Sequence, residues 1–273
     1  MLAAELHGKL GDGTNAKDRK EDVLTSNVFG LLRCMESPDL LVTWLGESRP
    51  AVDGDSRLVT GPVHSADIHF WPRVRTRELD VLVLLRGPRG LHVIGVECKY
   101  EWDKSNRPED DTGDGEKDAA GSSDQLAYYM DALAADALPS SPYRPEEVHR
   151  RSLLYLTAHA TMPRDDLEAS LKARREHSAI DLHWLPWREL TPLLPKDNRA
   201  HGLPRLLAEL RQVLKRRKLA TFTGWTDTAP RWRRPSQEQF FRSTRKRTFL
   251  AGMTAPSLPT DKTFWHSPPQ RGA

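Results

Sequence analysis

Residues 79–99 read LDVLVLLRGPRGLHVIGVECK, two apolar runs on either side of a short segment with one proline and two glycines. Leu79 to Leu85 and Leu91 to Cys98 are each long enough for a strand and rich in β-formers, and Arg86-Gly87-Pro88-Arg89-Gly90 favours a reversal. Folding the chain about Pro88 sets Asp80 opposite Val96 or Glu97, depending on a one-residue choice of register. Side chains two apart on a strand share a face, so Glu97 and Lys99 point one way while Cys98 points the other. Two carboxylates and one amine therefore meet at the end of a β-hairpin. A hard cation such as Mg2+ suits that set, because it takes one or two carboxylates and keeps waters for substrate phosphates. Lys99 is placed to hold an attacking water or to offset charge developing on phosphorus. The same residues also fit a structural ion pair, so the rest of the chain decides between the two. Glu78 shares a face with Asp80 by the same periodicity and is its nearest competitor as a ligand.

Working outward, Glu21 to Leu32 reads as an amphipathic helix, with Leu24, Val28, Leu31 and Leu32 on its apolar side. Ser152 to Thr157 reads as the next core strand and Arg164 to Glu176 as a helix. Asp181 to Leu185 alternates, and Pro186 to Leu190 opens a further helix. Leu203, Leu206, Leu207, Leu210, Val213 and Leu214 mark one face of a helix that ends on Lys215-Arg216-Arg217-Lys218. The chain is accordingly expected to be α/β, a central mixed β-sheet flanked by helices.

Taken in order, these pieces resemble the PD-(D/E)XK nuclease superfamily, the restriction-endonuclease-like fold. More narrowly they resemble a bacterial branch often found among genome-defence genes, whose members open on an E-D-x-L-T-S helix, here Glu21-Asp22-Val23-Leu24-Thr25-Ser26. The resemblance runs from Glu21 to Trp225, where Phe222-Thr223-Gly224-Trp225 looks like the family's closing F-x-G-aromatic element. It implies a restriction-endonuclease-like core that hydrolyses DNA phosphodiester bonds with Mg2+, or with Mn2+ in its place. By the same resemblance Asp80 and Glu97 bind metal, Glu21 helps from the first helix, and the backbone carbonyl of Cys98 is a further ligand. Lys99 and Gln125 would manage the nucleophile and the phosphate, and Tyr129, Lys104 and Ser105 would contact nucleic acid. One departure is Leu79, which stands where the family has proline; that proline supplies no ligand, so only local geometry is expected to differ.

At 273 residues, with 38% hydrophobic and 29% charged content, the chain is ordinary for one principal globular domain. Three segments are expected: an N-terminal stretch 1–20, a nuclease domain 21–225 with a flexible acidic loop at 101–123, and an extension 226–273. No apolar run approaches the roughly 18 residues that cross a bilayer, and the N-terminus lacks the features of a signal peptide. The two cysteines, Cys34 and Cys98, form neither a disulfide framework nor a zinc motif. A cytoplasmic setting with no membrane partner is expected. His64 and His69 read as structural, and no P-loop or G-x-S-x-G elbow is present.

Charge is unevenly spread. Between Leu203 and Leu250 thirteen Lys and Arg face three acids, although the whole chain carries only +3. Aromatic residues interleave with Arg231, Arg233, Arg234, Arg245, Lys246 and Arg247, a composition that suits stacking on bases and gripping phosphates. It equally suits an anchored tail with solvated cations. The pro-rich end, 256–273, reads as irregular. The expectation is an endonuclease of bacterial genome defence acting on DNA, with a homodimer or defence-system partner proteins assisting. The alternative is a nucleic-acid-binding module of a defence complex, silent until a partner activates it, and an RNA substrate ranks below both.

Overall fold

A computed structural model describes residues 4, 9, 16–52, 56–100, 124–138, 141–175, 180–196 and 201–220. The described elements belong to a unit that spans Met1–Phe222. Lys104, Ser105, the 101–123 segment and the whole 226–273 extension with its Arg231, Arg233, Arg234, Arg245, Lys246 and Arg247 lie outside the described residues.

The quoted stretch forms β5 (Val81–Gly87) and β6 (Gly90–Lys99), paired antiparallel in the register Val81↔Val96. Gly90 closes the hairpin with φ 111°, a region that costs a side chain dearly, and a Cβ there would lie 2.8 Å from the Glu147 carbonyl oxygen. Around this hairpin the sheet grows to six strands. Earlier in the chain lie α1 (Ala16–Arg33), α2 (Asp39–Gly46), β1 (Arg49–Pro50) and β2 (Ser65–Phe70). A small separate hairpin, β3 (Arg73–Val74) with β4 (Arg77–Glu78), leads into Asp80. After β6 come α3 (Gln125–Ala134), β7 (Val148–Thr157), α4 (Arg164–Ala173), β8 (Asp181–Pro186) and α5 (Leu203–Arg216). The sheet order is β1-β8-β7-β6-β5-β2, with β6, β7 and β8 parallel and the other neighbours antiparallel. It is therefore a mixed sheet, with helices on both faces.

The central strands are apolar without alternation because both faces are covered, as strands of a sandwiched sheet must be. Leu24, Val28 and Phe29 of α1, Trp44 of α2 and Leu210 and Leu214 of α5 pack on Val83, Ile94, Cys98 and Leu156 of one face. Leu126, Tyr129 and Leu133 of α3 and Leu167 of α4 pack on Leu82, Val93, Leu153 and Tyr155 of the other. Gly95 lets α3 come close, since a Cβ there would meet Leu133 Cδ1 at 2.7 Å. On the first face Phe29, Trp44 and Trp187 form an aromatic cluster with centroids 5.6–6.4 Å apart.

Several elements depart from the sequence reading. The first helix begins at Ala16, ahead of Glu21. Its core face takes Phe29, whereas Leu31 is half-buried. Pro186 to Leu190 opens a 3-10 segment, Trp187–Leu193, that contains Pro192, a residue unable to supply the N–H a longer α-helix needs. In α5, Leu206 is 47% exposed and stands off the buried stripe of Leu207, Leu210 and Leu214.

Candidate functional site

Asp80 lies one residue before β5, so the antiparallel register carries it across from Glu97, one step beyond the Val81↔Val96 pair. Odd-numbered residues of β6 face α3, which turns Glu97 and Lys99 to that side and Cys98 to the α1 side. The backbone of Cys98 enters the site through its N–H, which donates to Asp80 Oδ2 at 2.7 Å. Lys99 Nζ stands 2.9 Å from Glu97 Oε1 and 3.3 Å from Glu21 Oε1. Glu21 reaches over from α1 and its Oε2 accepts the Tyr100 N–H at 2.8 Å. The Lys99 carbonyl is held by the Ala158 N–H and by Trp187 Nε1, both at 3.2 Å, so the lysine backbone is fixed from β7 and from the 3-10 segment.

Glu97 is 1% exposed. The Lys99 ammonium is its ion-pair partner, yet neither carboxylate oxygen receives a well-angled hydrogen bond. A buried carboxylate in that condition is costly unless a charge compensates it. Burial raises the Glu97 carboxyl, with Lys99 opposing. Burial, and then the charge of Glu97, push Asp80 up to about 8 against the pull of Lys99. Burial likewise lifts Glu21 to about 7. For Lys99, burial alone would lower the ammonium, but Glu97, Glu21 and Asp80 together raise it well above the usual lysine range. Three carboxylates thus compete for one ammonium. Ionised together they leave two negative charges uncompensated, which a divalent cation would match.

As the side chains stand, no three His, Cys, Asp or Glu groups among the described residues are grouped to hold a metal ion. The hydrogen bonds account for this: Asp80 is turned onto the Cys98 N–H, Glu21 onto the Tyr100 N–H, and Lys99 sits between Glu97 and Glu21. The donor set is nevertheless all oxygen, and it contains the buried, under-bonded carboxylate of Glu97, so it fits a hard cation once these side chains re-aim.

Gln125 and Tyr129 approach from α3, whose first turn is capped by Asp124 accepting the Ala127 N–H at 3.0 Å. Gln125 is hydrogen-bonded to the Tyr129 hydroxyl, and burial followed by the Glu97 charge raises the Tyr129 phenol. Tyr129 donates to the Glu78 carbonyl, which anchors the approach to Asp80. Glu78 itself is directed outward to Lys9 with its side chain 47% exposed, apart from the carboxylate cluster. Two neighbours were missed in the sequence. Tyr155 lies directly across from Glu97 on β7, a relation set by parallel register that no local pattern carries. Arg77 adds a positive field that lowers the Glu97 carboxyl. His64 is exposed, and His69 lies on the edge strand β2.

Comparison with protein-family models, with curated proteins and with solved structures finds no match to this chain.

Proposed function

We propose that the chain is a metal-dependent phosphodiesterase of the restriction-endonuclease-like fold that hydrolyses DNA, with Mg2+ or Mn2+ as its cofactor. One observation carries the reading: Asp80, Glu97 and Glu21 converge on Lys99 at the end of β6, with three carboxylates around one ammonium. The mixed sheet with helices on both faces and the order Glu21, Asp80, Glu97-x-Lys99, Gln125-x-x-x-Tyr129 support it. Asp80 and Glu97 would hold the metal, with Glu21 and the Cys98 carbonyl completing its protein ligands. When bound, the metal supplies Lewis-acid polarisation of a phosphoryl oxygen and acidifies a coordinated water. Lys99, fully charged in this setting, donates to the attacking water or to the phosphate oxygen on which charge accumulates. Gln125 orients the same water, and Tyr129 keeps the backbone ahead of Asp80 in place. The net reaction adds water across one phosphorus–oxygen ester bond, leaving a phosphomonoester and a free hydroxyl. A role as an endonuclease in genome defence belongs to the same proposal.

The test is cleavage of supercoiled plasmid and of single strands by the purified chain, with and without Mg2+, beside Asp80→Ala and Lys99→Ala. Wild-type cutting that needs metal and falls by at least about 100-fold in both variants is expected. Equal cutting by all three proteins would sink the proposal.

A second reading is favoured by the carboxylates' existing hydrogen bonds: a module that binds nucleic acid and stays silent until a partner re-aims the site. Salt-sensitive DNA binding without cutting under either metal is its signature.

A further inference from the structure

The β3–β4 hairpin leads into Asp80 and presents three cations beside the carboxylates. Arg73 and Arg77 are exposed, Arg75 is half-buried, and none of the three forms an ion pair with another described residue. Arginines elsewhere are engaged: Arg150 pairs with Asp181, Arg86 with Glu147 and Arg151 with Asp136. The hairpin is also held rigidly. The Tyr128 hydroxyl accepts the Thr76 N–H at 3.1 Å, lies 3.0 Å from Thr76 Oγ1 and donates to the Val74 carbonyl at 3.2 Å. The Arg75 N–H donates to the Ala137 carbonyl at 3.1 Å, and the Arg77 guanidinium lies over the Tyr128 ring at 4.6 Å. Arg75 takes φ 54°, a left-handed conformation rare for so bulky a side chain and retained only where the surroundings impose it. From Arg77 the chain runs through Glu78, whose carbonyl binds Tyr129, and buried Leu79 to Asp80. A well-held hairpin carrying three planar guanidinium groups, three, five and seven residues ahead of Asp80, is the chemistry that recognises phosphate oxygens.

Resting on the nuclease reading above, we propose that the Arg73–Glu78 hairpin grips the DNA phosphate backbone beside the reacting phosphate, with Arg73, Arg75 and Arg77 as its contacts. The arginines bring substrate to a pocket of net negative charge that would otherwise repel it. They position; they take no part in bond breaking.

The experiment measures binding of a fluorescent DNA duplex by the full chain over a salt series, together with kcat and KM under Mg2+. The variants are Arg73→Gln/Arg75→Asn/Arg77→Gln, the matching triple lysine variant, and Arg144→Gln, an exposed arginine just before β7 at the far end of the sheet. Asparagine is chosen at 75 because it tolerates the left-handed region. Each lost phosphate contact removes about 0.9 from the slope of log affinity against log salt, so the neutral triple variant should lose about 2 to 3 in slope. Affinity should fall on the order of tenfold or more near physiological salt, with KM rising. The lysine variant should recover most of the slope, which a merely structural role would not produce. Unchanged slope and affinity in the neutral triple variant, or an equal loss in Arg144→Gln, overturns the proposal and leaves metal-dependent cutting by the wild type untouched. Wild-type binding without cutting under either metal overturns the nuclease reading instead, and the slope still decides the hairpin.

Discussion

Lys99 stands in ion-pair contact with both Glu97 and Glu21, and its charge is what allows these carboxylates to share a largely buried pocket. Replacing it with methionine keeps the length of the side chain and removes the charge. Breaking a buried pair in this way costs about 3 kcal/mol, part of which the site recovers by taking up protons on carboxyls already raised. Lys99→Met should therefore lower the urea midpoint at pH 8, and millimolar Mg2+ should raise it again by more than it raises the wild type. Glu97→Gln should abolish the Mg2+ shift in both backgrounds. A Mg2+ response that survives Glu97→Gln would remove Glu97 from the ligand set. At this scale the sequence was informative for residues on one strand: period two alone put Glu97 and Lys99 together. It was uninformative for Tyr155 and Arg77, which reach the site through parallel register and through a cation's field.

Among the elements, β5 and β6 carry two different chemistries at their two ends. At the Gly90 end His92 lies on the α1 face, its Nε2 2.9 Å from Ser152 Oγ; farther along the sheet His183 of β8, opposite Leu154, is buried with neither ring nitrogen hydrogen-bonded. Burial, and then the charge of Arg150, lower His92 to about 3 and His183 to about 4. Both imidazoles bind protons more weakly in the folded chain than in the unfolded one, whose histidines sit near 6.5. Their contribution to stability is therefore complete above pH 6.5 and is lost as pH falls through 4 toward 3. The loss should amount to roughly 3 kcal/mol for each histidine between pH 6.5 and 4. His183→Leu, which replaces an unpaired polar ring by an apolar group of similar size, should raise stability at pH 7 by about 1 kcal/mol and flatten that acid limb. A limb as steep as the wild type's would exclude His183 as its source. Other element-level differences have plain causes. The α2 helix is only eight residues long, too short for periodicity to announce, and Pro192 holds Trp187–Leu193 to a 3-10 path. The β3–β4 hairpin has two residues per strand, too few for any alternation to mark it.

For the whole molecule, both hydrophobic cores and all eight described strands lie within the unit Met1–Phe222. The charge divides differently. Residues 223–273 hold nine Lys and Arg against three Asp and Glu, so of a total of +3 the first 222 residues retain a net charge of −3. A net-negative body is a poor partner for a polyanion except where local cations such as Arg73, Arg75 and Arg77 overcome its field. A chain ending at Phe222 should therefore keep the far-UV circular dichroism and melting temperature of the sheet, since every described core residue is retained. Its DNA affinity should drop and its salt dependence should flatten, because phosphate contacts, and the counterions they release, scale with the cations present. What remains should depend on the arginine hairpin: adding the neutral triple substitution to the shortened chain should take the residual slope close to zero. Loss of the folded signal on shortening would show that the core leans on 223–273. Full affinity and an unchanged slope would show that those cations never reach DNA, and that the hairpin and the face around it carry the binding alone.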